Sequence, residues 1–424
     1  MTDYVHPAAR QHRIHKAVAC LFAAFWASAQ HAQESSLFPD SDYTGALRSR
    51  YGVIDQEGND GEVFSALLRT TFSSKWLENW SSVVELDYVA RALSNRHSDG
   101  ITNNGKPLVP DTAGFDLNQL YLEHNGAAIQ WKLGRQRIEF DNQRFVGGNA
   151  FWQNEQTFDG LTSQFRFADA SLIKYAYVYN VNRIFGEKAG SQLPESDPQY
   201  GELNGSRPFA RLGDHKLHSH WLRLEWNEWD YQRIATYAYG NEYLDFSDWS
   251  HRQAGIRHLF DYKFSVWRLR TQVEYARQWR YQLSEAASTA YELVEAALGL
   301  RAFEFAFRHE QLGAHNSQTF ITPLGSTHDF HGFVSKFSGT PENGLREHSF
   351  RVSWRQAPWL IELRQFQFDS AQRGIDYGHE TDVSVRWRGH RAHSGLLNAG
   401  RFRANSNANF SDEWRISLDY RFEF

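Results

Sequence analysis

The feature that most constrains this fold is a repeated alternation of apolar and polar side chains, interrupted by turn residues. About eighteen segments show this period of two, which is typical of a strand with one apolar and one polar face. Every second connection is tight, as at Asn125-Gly126, Tyr262, Phe303 and Ala357-Pro358, and most of the others are longer. The longest connections span residues 94–114, 141–156, 185–217 and 314–346.

Short turns on one rim and long loops on the other are typical of membrane barrels. The sequence therefore predicts an all-β fold: a transmembrane, antiparallel, up-and-down β-barrel of about 18 strands, with short periplasmic turns and long extracellular loops. The last segment, Trp414 to Phe424, alternates strictly and ends on an aromatic residue. It resembles the sorting signal of bacterial outer-membrane barrels, and an ordinary half-buried edge strand is the alternative interpretation.

Composition agrees with a barrel. Aromatic residues make up 15% of the chain, and Trp and Tyr collect at membrane–water interfaces. The mean hydropathy of -0.62 argues against a bundle of transmembrane helices. It is compatible with a barrel, because only alternate residues of each strand then meet lipid.

The N-terminus has the pattern of a secretory signal peptide. An apolar run at residues 17–29 follows Arg10, Arg13 and Lys16 and ends on Ala27-Ser28-Ala29. Basic region, apolar region and small-residue cleavage site occur in that order. We therefore predict a signal peptide at residues 1–29 and a single outer-membrane barrel domain at residues 30–424, located in the bacterial outer membrane.

The cysteine count limits the chemistry of the mature chain. Cys20 is the only cysteine, and the apolar run lies mostly after it, whereas a lipid-attachment site needs that run before it. Ala32 is a second candidate cleavage position. Without Cys20 the mature chain has no thiol, which excludes disulfides and thiolate metal sites.

Arginine dominates the basic residues, since only nine of the 45 are lysines. Genome composition explains part of such a bias; arginine also supplies a planar, permanently charged fork for carboxylates. Strand parity predicts that many arginines face the lumen, where half of them would form ion pairs with inward acids and the rest would select anions. The predicted substrate pathway comprises Arg48, Arg50, Arg69, Arg135, Arg137, Arg144, Arg166, Arg223, Arg386, Arg388, Arg401 and Arg403.

A dense polar motif runs from Gly134 to Phe165 (GRQRIEFDNQRFVGGNAFWQNEQTFDGLTSQF). Gly147-Gly148 permits unusual backbone angles, and we expect the loop at residues 141–156 to fold into the lumen and narrow it. The motif resembles the alginate-export family of outer-membrane barrels. That resemblance implies a monomeric, 18-stranded barrel that passes an anionic polysaccharide or smaller anions.

The sequence thus predicts a passive channel for acidic saccharides or small anions, without cofactor, nucleic-acid partner or enzymatic activity. Outer-membrane lipid and, for export, a periplasmic protein would be its partners. A general or different-substrate porin and a barrel that binds a partner through its loops are the alternatives. An enzyme such as a lipase would need a serine nucleophile, and the sequence contains no Gly-x-Ser-x-Gly motif. A metal site could be formed by His315, His328, Asp329 and His331, but their spacing in the sequence is loose.

Overall fold

The computed structural model describes residues 40–93, 96–102, 104–186, 213–281, 288–316, 318–390 and 392–424. The predicted signal peptide and most of the predicted loop at residues 185–217 lie outside the described residues, so both stay predictions. Among the described residues, eighteen antiparallel strands form one sheet, and two further short strands pair with each other. The predicted fold class is confirmed.

The strands follow one another around the barrel in chain order. In that order they are β1 (Asp40–Gln56), β2 (Asn59–Leu77), β3 (Trp80–Ala92), β4 (Gly114–Asn125), β5 (Ile129–Gln136), β6 (Thr157–Arg166), β7 (Leu172–Asn182), β8 (His215–Trp229), β9 (Gln232–Tyr243), β10 (His251–Phe264), β11 (Trp267–Arg280), β12 (Ser288–Leu300), β13 (Phe303–Leu312), β14 (Ala314–His315), β15 (Gln318–Thr319), β16 (Leu345–Gln356), β17 (Trp359–Asp369), β18 (Asp376–Arg388), β19 (His393–Ala404) and β20 (Glu413–Glu423). Short 3-10 helices lie at Ser247–Trp249 and Thr327–Asp329.

The barrel closes between its first and last strands. β1 pairs with β2 on one side and with β20 on the other, with Leu47 opposite Phe422 and Arg50 opposite Asp419. Closure leaves the 18-stranded sheet without an unpaired edge strand among the described residues, which is the condition for a sheet to cross a bilayer. The short strands β14 and β15 form a hairpin inside the connection between β13 and β16.

The connections sort by rim as the sequence predicts, with small differences in where turns fall. Tyr262 and Phe303, predicted as turn positions, lie inside β10 and β13, and the turns come at residues 265–266 and 301–302. Ser265 and Arg301 adopt positive φ angles of 52° and 54° there. A tight reversal needs this left-handed conformation, which the period of the flanking residues does not reveal.

The outer face of the barrel is apolar. Large side chains such as Leu222, Val273 and Leu418 are exposed by 51%, 46% and 55%. Exposed aromatic residues gather beside the short turns: Trp76, Trp229, Phe264, Trp267 and Trp359. An apolar band with an aromatic girdle is the surface that a barrel presents to lipid. No helix in the described part of the chain is long and apolar enough to span a membrane.

The buried core lies inside the barrel rather than between two layers. Loops fold inward, and their apolar residues pack on the inner wall: Phe145 contacts the rings of Tyr237 and Tyr291 at centroid distances of 5.7 Å and 5.0 Å. Phe337 likewise packs on Phe368 at 4.7 Å. An 18-stranded barrel has an interior too wide for wall side chains alone to fill, so these loops decide what stays open.

Candidate functional site

The connection between β3 and β4 enters the barrel, where Asp111 is buried 3.5 Å from Arg50, and two further inward loops meet each other across the lumen. We name them loop A, residues 137–156 between β5 and β6, and loop B, residues 313–344 between β13 and β16. Val146 in loop A is 1% exposed and His331 in loop B is 2% exposed. Loop A contains the segment that was expected to fold into the lumen, and the structure places it there.

The two loops are hydrogen-bonded to each other. Ser326 Oγ donates to Gln143 Oε1 at 2.7 Å, and the backbone amide of Gly147 donates to the carbonyl of Leu324 at 3.0 Å. Gln156 Nε2 donates to the same carbonyl at 2.9 Å. Because backbone and side chain both take part, the loops form one plug across the lumen.

Gly147 is needed for close approach rather than for an unusual backbone angle. Neither Gly147 nor Gly148 has a positive φ, contrary to the expectation from the sequence. A Cβ at Gly147 would lie 2.5 Å from Ser326 Oγ and from Gln143 Cβ. A side chain at this position would therefore separate the two loops.

Arg144 anchors loop A to loop B and to the barrel wall. Its Nε lies 3.0 Å from Glu310 Oε1 on β13, and its Nη2 lies 2.6 Å from His331 Nε2. His331 Nδ1 in turn lies 2.8 Å from Glu347 Oε2 on β16. An arginine can only donate, so Nε2 of His331 accepts and its Nδ1–H donates to Glu347.

This cluster has the residue types of a metal site but the charge balance of an ion-pair network. Single ligand atoms of Glu310, His331 and Glu347 lie within 4.8 Å of one another. However, Arg144 holds one oxygen of Glu310, and Arg308 Nη2 lies 2.8 Å from the other. Two guanidinium groups already neutralise the carboxylates, so we interpret the cluster as structural.

The loosely spaced metal candidates of loop B do not come together. His328 Nδ1 is hydrogen-bonded to Ser335 Oγ, and its ring stacks on Phe151 at a centroid distance of 3.6 Å. Burial, followed by the guanidinium groups of Arg415, Arg50 and Arg48, lowers the pKa of His328 well below its usual value. The ring is therefore neutral and acts as an apolar contact between the loops.

Arg48 and Arg50 join β1 to β20 and to loop A. Both guanidinium groups lie 2.9 Å from Asp419 Oδ1, and both donate to the carbonyl of Phe151 at 2.6 Å. The Arg50 guanidinium also lies 4.0 Å from the centroid of the Phe151 ring. These two arginines therefore fix the position of loop A against the wall.

Arg69 and Arg137 hold the other end of loop A. Arg69 Nη1 lies 2.6 Å from Glu155 Oε1, and Arg137 is paired with both Glu155 and Glu85. Burial alone would raise the pKa of Glu155, but the guanidinium groups of Arg69 and Arg137 outweigh it and lower that pKa to about 2. Glu155 is thus a charged tether between loop A and the wall.

Arg135 and Arg223 are also paired. Arg135 Nε lies 2.8 Å from Asp159 Oδ1 on the neighbouring strand, and Arg223 Nη1 lies 2.7 Å from Asp141 Oδ2 of loop A. Seven of the twelve predicted pathway arginines therefore lie on the inner side in ion-pair networks: Arg48, Arg50, Arg69, Arg135, Arg137, Arg144 and Arg223.

The remaining predicted arginines divide into two groups. Arg166 lies at the end of β6 and donates to the carbonyl of Asp169 in the adjacent turn at 3.0 Å. Arg386 and Arg388 share the inner face of β18 with Asp382, near the short turns. Of these, Arg386 lines a cavity in the lumen.

Arg401 and Arg403 are placed on the outer face, which corrects the prediction. Both are exposed, whereas Phe402 between them is 0% exposed and packs on Phe337 of loop B at a centroid distance of 5.7 Å. The alternation of polar and apolar residues misassigns the faces here, because the residue that points inward, Phe402, is apolar and the two arginines beside it point outward. Contact with loop B decides which side chains face inward.

The plug separates two cavities. The outer cavity, toward the long loops, has a volume of about 780 Å³, and its charged lining residues in the described chain are four cations and one acid: Arg144, Arg183, Lys336, Arg415 and Glu413. Aromatic side chains, among them Trp152 and Trp249, line the same space. This chemistry suits a small solute that carries a carboxylate and an apolar ring.

The inner cavity, toward the short turns, has a volume of about 500 Å³ and a mixed lining. Arg308, Arg351, Arg364 and Arg386 face five acids there: Glu295, Asp329, Glu347, Glu362 and Asp382. Arg386 has no hydrogen-bond or ion-pair partner among the described residues. The predicted excess of arginine therefore holds for the outer cavity and not for the inner one.

Several lining residues were not singled out from the sequence. Arg415 and Arg364 lie at inward positions of β20 and β17, so strand parity could have identified both. Arg183, Lys336 and His331 lie in loops, and no periodic signal exists for loop residues. Their positions depend on how each loop docks inside the barrel.

Solved structures with the same fold are outer-membrane porins. OpdK from Pseudomonas aeruginosa, determined with vanillate, matches with a TM-score of 0.68 and 12% identity over 92% of this chain and 100% of that chain. OccAB4 from Acinetobacter baumannii gives 0.67 and 10% identity over 91% and 99%. OccK3 (OpdO) from Pseudomonas aeruginosa gives 0.66 and 11% identity over 92% and 97%. This chain has the 18-stranded porin fold.

The porin fold and the apolar outer band together place the chain in the bacterial outer membrane. No family model matches the sequence, and no curated protein matches it. None of the three porins named above is described as an alginate exporter, so the resemblance to that family is supported at the level of an outer-membrane barrel and no further. In such barrels the short turns are periplasmic and the long loops extracellular.

Proposed function

We propose that this protein is a passive outer-membrane channel for small acidic solutes, of the class of sugar acids and aromatic carboxylates. The observation that carries the proposal is the outer cavity, where Arg183, Lys336 and Arg415 face a single acid, Glu413, while Arg144 is balanced by Glu310 on the wall. Both Lys336 and Arg415 share that acid, at 3.3 Å and 3.4 Å. The charge that remains attracts carboxylates before they reach the plug.

Arg183 is the cation of this cavity that we expect to bind the carboxylate of a solute, because its guanidinium has no carboxylate partner among the described residues. Its Nη1 donates to the carbonyl of Pro323 at 3.3 Å, and its guanidinium lies 6.0 Å from the ring of Trp249. Its Nε has no partner among the described residues. A carboxylate could replace water at Arg183 while an attached ring packs on Trp249.

The plug favours small solutes over a polysaccharide. A polymer must thread the whole barrel, whereas loops A and B are joined by hydrogen bonds and divide the lumen into two cavities. Vanillate, which was present in the OpdK structure, is an aromatic carboxylate and matches the solute class that we propose. Alginate-like chains are the alternative substrate, and block of conductance by polyuronate tests them.

The same proposal includes a monomeric barrel surrounded by lipid, with no cofactor. A partner in the periplasm is needed only if the solute is exported as a polymer. A barrel that only binds through its long loops would not conduct, so ion conductance distinguishes that alternative from a channel.

The test is a reversal-potential measurement in planar bilayers under a salt gradient, followed by addition of vanillate, a monomeric uronate or polyuronate. We expect anion preference, with block by the small acids, and Arg183→Gln should weaken both. Arg268→Gln is the matched control, because Arg268 is paired with Asp261 at 2.5 Å near the short turns and lines neither cavity. Block by polyuronate alone would favour a polysaccharide, and conductance without preference or block would indicate a general porin.

A further inference from the structure

Arg401 and Arg403, two residues apart on β19, face outward from the barrel toward the membrane. Arg401 and Arg403 are exposed on β19 and flank Phe402, which points into the lumen. Neither guanidinium has a hydrogen-bond or ion-pair partner among the described residues. An arginine on the lipid face costs about 2–4 kcal/mol at the bilayer midplane and about 0–1 kcal/mol near the interface. Both residues must therefore lie where lipid headgroups begin.

Their position along β19 agrees with this level. β19 ends at Ala404, where the connection on the long-loop rim begins, so Arg403 is one residue from the end of the strand. Leu397, which is nearer the short turns on the same outer face, is 42% exposed and apolar. The outer surface of β19 thus changes from apolar to basic toward the extracellular side.

Neighbouring strands extend the basic surface. His379 on β18 is directly opposite Arg403, and Gln367 on β17 is directly opposite His379. Trp414 on β20 is directly opposite Arg401 and is 36% exposed. We name this surface the outer basic patch: Gln367, His379, Arg401, Arg403 and Trp414.

The described acids at this end of β18 and β20 accept hydrogen bonds from other groups and do not pair with either arginine. Asp376 accepts from Gln367 Nε2 and from Asn405 Nδ2, each at 2.9 Å. Asp412 accepts from the backbone amide of Ala404 at 2.9 Å. The arginines of the outer basic patch therefore keep their donors free for an anion outside the protein.

We propose that the outer basic patch binds the phosphate groups of a phosphorylated glycolipid in the outer leaflet. A guanidinium offers two parallel N–H donors to a phosphate, and these replace the hydrogen bonds that the phosphate oxygens would otherwise accept from water. Arg401 and Arg403 project from the same face of one strand, so two phosphate oxygens or two phosphates can be held side by side. Trp414 packs its ring on the acyl region below, as interfacial tryptophans do.

The proposal is tested by lipid binding to the full-length protein folded in neutral detergent. The probes are diphosphoryl lipid A and the same lipid with both phosphates removed, measured by native mass spectrometry. We expect the Arg401→Gln, Arg403→Gln double variant to bind diphosphoryl lipid A about tenfold or more weakly, because at least one charge-assisted contact is lost. Binding of the dephosphorylated lipid should be weak for both proteins.

Arg252→Gln provides the matched control: Arg252 is exposed on the outer side of β10, on a distant part of the wall, but its guanidinium lies 5.6 Å from the centroid of the Tyr281 ring and is not paired with a second arginine on its strand. That variant should bind diphosphoryl lipid A like the unmodified protein. The Arg401→Lys, Arg403→Lys double variant should bind diphosphoryl lipid A more tightly than the glutamine double variant but more weakly than the unmodified protein. Lysine keeps the positive charge and loses the two parallel N–H donors of the guanidinium. Equal affinity of the glutamine double variant, or equally tight binding of the dephosphorylated lipid, would overturn the proposal. Unchanged conductance of the double variant verifies that it is folded, independently of the channel's solute.

Discussion

Arg144 Nη2 lies 2.6 Å from His331 Nε2, and this contact joins the two loops that divide the lumen. Arg144 belongs to loop A and His331 to loop B, and each also reaches a wall glutamate, Glu310 or Glu347. The pair therefore couples the two loops to β13 and β16 at once. The plug lies between the outer and the inner cavity.

Arg144→Gln should loosen the plug. The substitution removes a 3% exposed cation from Glu310, although Arg308 stays paired with that carboxylate. Loss of one partner of a buried pair costs about 3 kcal/mol, and we expect larger and noisier single-channel conductance. Arg268→Gln is the control, because its exposed pair with Asp261 is worth about 0–1 kcal/mol. Identical single-channel traces for the two variants would contradict this role of Arg144.

Gly147→Val should separate the loops without removing a charge. The added Cβ would meet Ser326 and Gln143 at 2.5 Å, and we expect a loss of about 1–3 kcal/mol in plug stability. Limited proteolysis of the folded barrel should then cut loop B faster. Gly339→Val is the matched control in loop B, since a Cβ there has no atom within 4 Å. Equal cleavage rates for the two valine variants would rule out close packing at Gly147.

Acid should release loop A at Glu155. The pKa of this carboxyl is lowered to about 2 in the folded protein, mainly by Arg69 and Arg137 acting against burial, whereas it is about 4.3 in an unfolded chain. A lowered folded pKa contributes stability above the unfolded pKa, and that stability is lost as pH falls toward 2. Hydrogen exchange of loop A should therefore accelerate between about pH 4 and pH 2.

Glu155→Gln separates this effect from general acid unfolding. The variant should exchange faster than the unmodified protein already at pH 7, because Arg69 and Arg137 lose their shared carboxylate. Its exchange rate should also depend less on pH below about pH 4. A variant with the same acid dependence as the unmodified protein would show that another carboxyl is responsible.

Asp329 should make ion selectivity depend on pH. Asp329 lines the inner cavity but is enclosed by the barrel, and this burial, followed by the charge of Glu139, raises the pKa of its carboxyl to about 6. A raised pKa means that the carboxyl gains its proton as pH falls through 6, which removes one negative charge from the cavity. Anion preference in the reversal potential should increase from pH 7 to pH 5.

Asp329→Asn is the variant that isolates this group. It should have the higher anion preference already at pH 7 and a smaller change on acidification. His328 does not contribute in this range, since burial and the nearby arginines keep its pKa well below its usual value. A change of the same size in Asp329→Asn and in the unmodified protein would assign the effect to a different residue.

The local sequence was enough to predict that some of the arginines face the lumen. Parity assigned Arg48, Arg69 and Arg223 to the lumen, because apolar residues at the alternate positions of the same strands, among them Leu47, Leu68 and Leu222, must face lipid. The sequence did not reveal which acid each would meet, since Asp419 is 371 residues from Arg48. Pairing on this scale depends on barrel closure, which brings β1 beside β20.

By itself, the sequence determined the strands, their number and the faces of most side chains. A strand places successive residues on opposite faces, so a local pattern of period two carries this information. The tertiary structure alone decided how loops A and B dock, which arginines are neutralised, and that Arg401 and Arg403 face the membrane. Loop residues follow no period, and the orientation of β19 depends on the contact between Phe402 and Phe337, which are far apart in the chain.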